Sequence, residues 1–241
     1  MSVAKEQREK LIWEFPNIGK KAPEQEEKAF AYCEGYKEFL NAAKTEREFV
    51  REAVLRLKEA GYEEFEEGKI YQPGDKVYQI NRKKALLMST FGKRPLEDGV
   101  RINVAHIDSP RLDLKPNPLY EKAEAAYFKT HYYGGIRKYQ WATIPLAMHG
   151  VVILKDGTSM DICIGEKEGD PVFCVTDLLP HLAAQQNERK LKDGIKGEEL
   201  NIIVGSLPYP CEEEDSIKEP VKLLALSILN ERFGMTEKDF L

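Results

Sequence analysis

The chain has 241 residues, enough for one large domain or two modest ones, each able to bury a core. Hydrophobic residues make up 42% and charged residues 32%, the proportions of an ordinary globular protein, and 36 basic against 41 acidic residues leave a net charge of −5. That balance argues against nucleic acid or an anionic membrane surface as a partner, and no run approaches the roughly 18 consecutive apolar residues of a membrane span.

The opening stretch, MSVAKEQREKLIWEF, is charged and lacks the apolar segment of a signal peptide. Cys33, Cys163, Cys174 and Cys211 are scattered singly, with no CxxC pair and no spacing that suggests zinc or a disulfide framework. They are expected as small buried hydrophobes in a reducing compartment, which predicts a cytoplasmic protein.

From Lys28 to Lys44, residues Phe30, Cys33, Tyr36, Phe39, Leu40 and Ala43 recur at helical spacing. A second helix is better marked. Thr45 with Glu48 three residues later forms a capping box, Phe49, Ala53, Val54, Leu57 and Ala60 form an apolar stripe, and Gly61 supplies the C-cap. Strand-like runs follow at Lys76 to Asn81, Ala85 to Thr90 and Arg101 to His106. Helices leading into strands, the last nearly all apolar, predict an α/β layer over residues 1–110.

That last run delivers His106 and, two residues later, Asp108 into a turn. Residues at i and i+2 of an extended segment point the same way, so the two can share one site at a strand's C-terminal end. A zinc-ligating histidine is normally oriented by a carboxylate or carbonyl on its far nitrogen. The pair is thus the shape of half a metal site, although zinc needs three or four ligands and no other ligand cluster is evident. On its own, a His-x-Asp is more often an ordinary turn than a ligand.

From Arg111 onward the chain is rich in β-branched and aromatic residues, with turn signals at Gly134-Gly135 and Asp156-Gly157. Val151 to Leu154 and Ser159 to Ile164 flank the second signal as a hairpin. A short helix is expected after Thr176 or Asp177, carrying Leu178, Leu179, Pro180 and His181. These features predict a β-rich unit over residues 111–215, inserted into the first layer, with residues 216–241 returning to that layer. The acidic run Glu212 to Asp215 reads as a solvated loop. Beyond it, Pro220 starts a helix with Val221, Leu224, Ala225, Ile228 and Leu229 on its apolar face, stopped by Gly234. Thr236 with Asp239 then signals a fresh start, so the chain reads as ending where an element begins.

The remaining histidines take structural readings: His131 in an aromatic strand, with an interface role open, His149 at a strand start, and His181 at a helix start. Ser109 lacks the Gly-x-Ser-x-Gly elbow of a hydrolase nucleophile. Gly134-Gly135 is too short for a phosphate loop and reads as a turn.

The words AHIDSPRLDLKPNPLYE, YYGGIRKYQWATIPLAMHGVVI, VTDLLPHLAAQ, NIIVGSLPY and ILNERFGMTEKDF together resemble the M18 metallo-aminopeptidases, the aminopeptidase I and aspartyl aminopeptidase group. The resemblance covers nearly the whole chain and implies an α/β fold, a zinc-peptidase-like catalytic layer interrupted by a β-rich oligomerisation domain. It implies His106 as the first metal ligand and Asp108 as the carboxylate that orients it in catalysis. It implies two Zn2+ ions per complete site, with cobalt or manganese as alternatives. Peptide substrates and a homo-oligomer built through the inserted domain, with Tyr127 to Tyr139 as an interface stretch, follow in the same way.

The family's remaining ligands, its bridging aspartate, its general-base glutamate and a last histidine, fall in the part of the family pattern beyond Leu241. The resemblance therefore implies an incomplete metal site here, completed by further chain or by a C-terminal partner chain. The alternative is a catalytically inactive fragment or split half serving as an oligomerisation module. Gln185 stands where aspartyl aminopeptidases carry a histidine, and Trp141 to Gly150 lacks that branch's acidic residues, so the sequence is closer to the bacterial aminopeptidase I branch.

Overall fold

The computed structural model describes residues 3–13, 15, 17, 19, 22–154, 157–211 and 217–240. They form two compact units, divided between Ile107 and Asp108.

In the first unit, α1 (Val3–Leu11) precedes α2 (Pro23–Ala42) and α3 (Glu46–Glu59). α2 starts earlier than the periodicity suggests because Pro23 fits a first helical turn, where its missing N–H costs nothing. The capping box forms as read: the Glu48 amide donates to Thr45 Oγ1 at 3.3 Å, and the Thr45 amide donates to Glu48 Oε2 at 2.9 Å. Gly61, at φ 80°, ends α3 by donating its N–H to the Lys58 carbonyl, while the Tyr62 amide donates to the Leu57 carbonyl. Phe39 and Phe49 pack edge to face at 5.1 Å and join α2 to α3.

α3 lies against a three-stranded sheet of β1 (Glu63–Glu64), β2 (Lys76–Asn81) and β3 (Ala85–Thr90). β2 is central, parallel to β1 and antiparallel to β3. Its successive residues Val77 and Tyr78 are both buried, as a strand covered on both faces requires.

Arg101 to His106 is not a strand. A strand needs a neighbour to take its backbone groups, and here Ile102 and Val104 are 75% and 90% exposed. Apolar composition marked a segment suited to burial without supplying the partner.

The second unit is built on an antiparallel sheet in the order β4 (Arg111–Lys122), β5 (Ala125–Tyr133), β9 (Ile202–Gly205), β8 (Cys174–Val175). β4 carries a bulge between Leu114 and Leu119, at Pro116-Asn117-Pro118, where two prolines cannot donate to a ladder. The hairpin of β6 (Met148–Ile153) and β7 (Ser159–Ile164) forms as expected, with the limits of β7 as read and β6 starting three residues earlier and ending one earlier than Val151 to Leu154; Asp156 of its turn lies outside the described residues. Ahead of that hairpin, Leu146 exchanges backbone hydrogen bonds with Phe173, which ties the hairpin to the edge of β8.

Leu119, Phe128, Ile162, Phe173, Val175, Leu200 and Ile202 share one core. Thr130 is the buried polar residue of β5, and its hydroxyl donates to the Leu200 carbonyl.

The helix expected to carry Leu178 to His181 does not form there; the helical turn α4 is Ala184–Asn187. Pro180 disfavours helical geometry in the residue before it, and Asp177 Oδ1 instead accepts hydrogen bonds from the Leu178 amide and the Gln186 side chain.

α5 (Pro220–Phe233) stops at Gly234, φ 67°, as read. Val221 and Leu229 of this helix, and Met235 beyond it, lie in the core of the second unit. The acidic run Glu212 to Asp215 lies outside the described residues.

The cysteines correct a further expectation. No disulfide joins them, but Cys33, Cys163 and Cys211 are exposed and Cys174 is half-buried. Cys163 shows why, since it sits between buried Ile162 and Ile164 and strand alternation turns it to the opposite face.

Candidate functional site

The His-x-Asp motif lies where the two units meet in sequence. His106 is exposed and belongs to the first unit, whereas Asp108 is half-buried and belongs to the second. Asp108 lies three residues before the start of β4, which opens with Arg111 directly opposite Tyr133, the last residue of β5. The register brings the Tyr133 hydroxyl to Asp108, where it donates to Oδ2 at 2.5 Å. That length suits an O–H donor on an ionised carboxylate.

The Arg111 guanidinium covers the Tyr133 ring at 4.2 Å from its centroid. Its Nε donates to Asp113 Oδ1 at 2.8 Å, and its Nη1 donates to the Ser109 carbonyl at 3.4 Å. Gly134 adopts φ 79°, so the chain reverses immediately after Tyr133. A methyl group built on Gly134 would lie 3.5 Å from Pro110. Residues 108–111 are thereby laced to the end of β5.

The other three histidines belong to the second unit. His131 is exposed in β5 opposite Asp113. His149, in β6, is mostly buried, with Nε2 3.0 Å from Glu166 Oε1. His181 is exposed in the turn before α4. Among the described residues, no three His, Cys, Asp or Glu side chains gather into a group able to hold a metal ion. One histidine and one carboxylate fall short of the three or four ligands that zinc requires, so the described residues alone do not fit the metal centre that the motif suggests.

A profile of the family described as aminopeptidase I zinc metalloprotease (M18) matches residues 39–241. The chain belongs to the M18 family. It is 48% identical over 235 residues to a probable M18 family aminopeptidase 1 of Clostridium acetobutylicum, covering 95% of this chain and 50% of that protein. The crystal structure of an M18 aminopeptidase from Thermotoga maritima superimposes with a TM-score of 0.84 at 45% identity, covering 95% of this chain and 49% of that one. Aminopeptidase I from Borrelia burgdorferi superimposes with a TM-score of 0.77 at 40% identity, covering 90% and 48%. This M18 chain therefore spans about half the length of the relatives it matches.

Tyr133 stands in the sequence only as the end of the aromatic strand Tyr127 to Tyr133; the β4–β5 register, displaced by the bulge, is what brings it beside Asp108.

Proposed function

We propose that this chain is the amino-terminal portion of a metallo-aminopeptidase that releases N-terminal residues from peptides. The match of residues 39–241 to the family profile carries the reading. In it, residues 1–110 form the first part of the catalytic layer and residues 111–215 the β-rich inserted domain, through which copies of the complete protein assemble into a homo-oligomer. His106 is one ligand of a zinc centre of two ions, with cobalt or manganese as alternative metals, and Asp108 orients its imidazole. A bound zinc supplies Lewis acidity and lowers the pKa of a bound water. With one ligand from the described residues, no hydrolytic step is assigned to them. The singly scattered cysteines support a cytoplasmic location, and among the described residues no helix is long and apolar enough to cross a membrane.

A second reading, an oligomerisation module without catalysis, is favoured by one observation: no three-ligand group exists among the described residues. Native mass spectrometry of the protein from its own source separates the two. The enzyme reading expects a complex whose extra mass supplies the missing ligands and which carries about two metal ions per site, and His106→Ala in that complex loses metal at one position. A metal-free assembly of the 27.6 kDa chain alone supports the module reading. Unchanged metal content in the His106→Ala complex rejects the ligand assignment.

A further inference from the structure

We propose that α2 is an interaction surface for a second copy of this chain, the two α2 helices pairing antiparallel with Tyr32 near the centre. The contact belongs to the first unit alone and stands apart from the enzyme reading and from assembly through the β-rich domain.

From Glu24 to Glu34 every residue of α2 is exposed. Three turns of helix with no packed side are marginal in water, because most helical stability in proteins comes from burying an apolar stripe. α2 carries such a stripe. Ala29, Tyr32, Tyr36 and Phe39 recur at steps of three, four and three, the spacing of a seam that runs along another helix. The C-terminal end of the seam meets α3 of the same chain through Phe39 on Phe49 at 5.1 Å. The part before it does not: Tyr32 is 75% and Tyr36 52% exposed. Ala29, one turn before Tyr32, leaves room for a tyrosine of the other copy.

Charge selects the occupant and its direction. Glu26 and Lys37 are eleven residues apart, close to three full turns, so they share one flank of the seam. In an antiparallel pair the same flank of both helices lies along one side of the seam in reversed order, which brings Glu26 of each copy opposite Lys37 of the other. The helix dipoles also run head to tail in that arrangement. Lys37 already lies 2.7 Å from Glu34 of its own helix, an exposed pair that costs little to share. One short seam buries less than the roughly 800 Å² per partner of a standard interface, so the contact is weak and concentration-dependent.

Cys33, exposed beside Tyr32, is a built-in probe of the pairing. A short bis-maleimide applied to the full chain over a concentration series, with the joined residues read by peptide mass spectrometry, should link two copies through Cys33. Glu26→Lys or Lys37→Glu alone should weaken that link about tenfold at low ionic strength, since each change sets two like charges across the dimer. The double variant Glu26→Lys/Lys37→Glu should restore it. All these positions are exposed, so the thermal transition should stay in place, and Tyr32→Ala should abolish the link without moving it. Absence of a Cys33 link up to the solubility limit overturns the proposal, as does a link indifferent to the single swaps or not restored by the double one. If, in the assembly from the native source, Cys33 is shielded from reagent and unlinked, further chain covers α2: the proposal falls and the enzyme reading stands.

Discussion

Glu121, near the end of β4, caps a helix 100 residues away. Pro220 opens α5 without an N–H, Glu219 before it offers no side-chain cap, and the next two amides, of Val221 and Lys222, both donate to Glu121 Oε2 at 2.9 Å. A carboxylate at this end also opposes the positive pole of the helix. Since Val221 and Leu229 of α5 are core residues of the second unit, the cap fixes the angle at which that face enters the core. Glu121→Ala should lower the stability of the second unit by about 0.5–2 kcal/mol, the range for losing an N-terminal cap. Glu121→Gln should cost less, because one acceptor oxygen remains. Urea unfolding followed by Trp141 fluorescence, in a background where Trp13 is replaced by Phe, checks this. A midpoint unchanged in Glu121→Ala would show that water satisfies those amides equally well.

Elements depend on such ties as much as on their own periodicity. The loop leaving β7 is held by Asp170, whose Oδ2 accepts the Gly165 and Lys167 amides at 3.1 and 3.2 Å and whose Oδ1 faces Arg232 of α5 at 3.4 Å. The two backbone donors, followed by the Arg232 cation, hold the Asp170 carboxyl below its ordinary value of 3.8. A folded-state value below the unfolded one contributes stability that is full above the unfolded value and lost as pH falls through the folded one. The stability gap between wild type and Asp170→Asn should therefore be constant near neutrality and close below about pH 4. Denaturation midpoints measured across that range test it, and a gap independent of pH refutes the assignment. The same contrast explains what the sequence made legible. Thr45, Glu48 and Gly61 act within one turn of their own helix, so α3 was readable, as were β2 and β3 from their local pattern. Arg101 to His106 needed a neighbouring strand, and Leu178 to His181 met Asp177 hydrogen bonds and Pro180, so both misled. The motif His106-x-Asp108 stands out by spacing alone, whereas the placing of Tyr133 beside Asp108 depends on a β4–β5 register displaced by a bulge.

At the scale of the whole chain, burial is unevenly shared. The second unit carries a core cluster of fourteen buried residues, from Leu119 to Met235. Among the described residues of the first, four hydrophobic side chains are buried: Val50, Leu57, Val77 and Tyr78. The first unit meanwhile leaves Phe30 of α2 65% exposed and Leu87 and Met88 of β3 63% and 66% exposed, in addition to Ile102 and Val104. Each large apolar side chain is worth about 1.5–3 kcal/mol when fully buried, so the first unit holds only a fraction of the stabilisation its sequence can supply. Local opening follows local burial. Hydrogen exchange of the isolated chain should therefore show β2 and β3 amides exchanging at least about tenfold faster than those of β5 and β9, a difference of about 1.4 kcal/mol in opening free energy. In the assembly from the native source, the enzyme reading expects the protection of β2 and β3 to rise toward that of β5, because the other half of the catalytic layer would cover the exposed residues. Equal protection of the two sheets in the isolated chain would show that the first unit is complete in itself, and the proposal that it is part of a larger catalytic layer would lose its physical support.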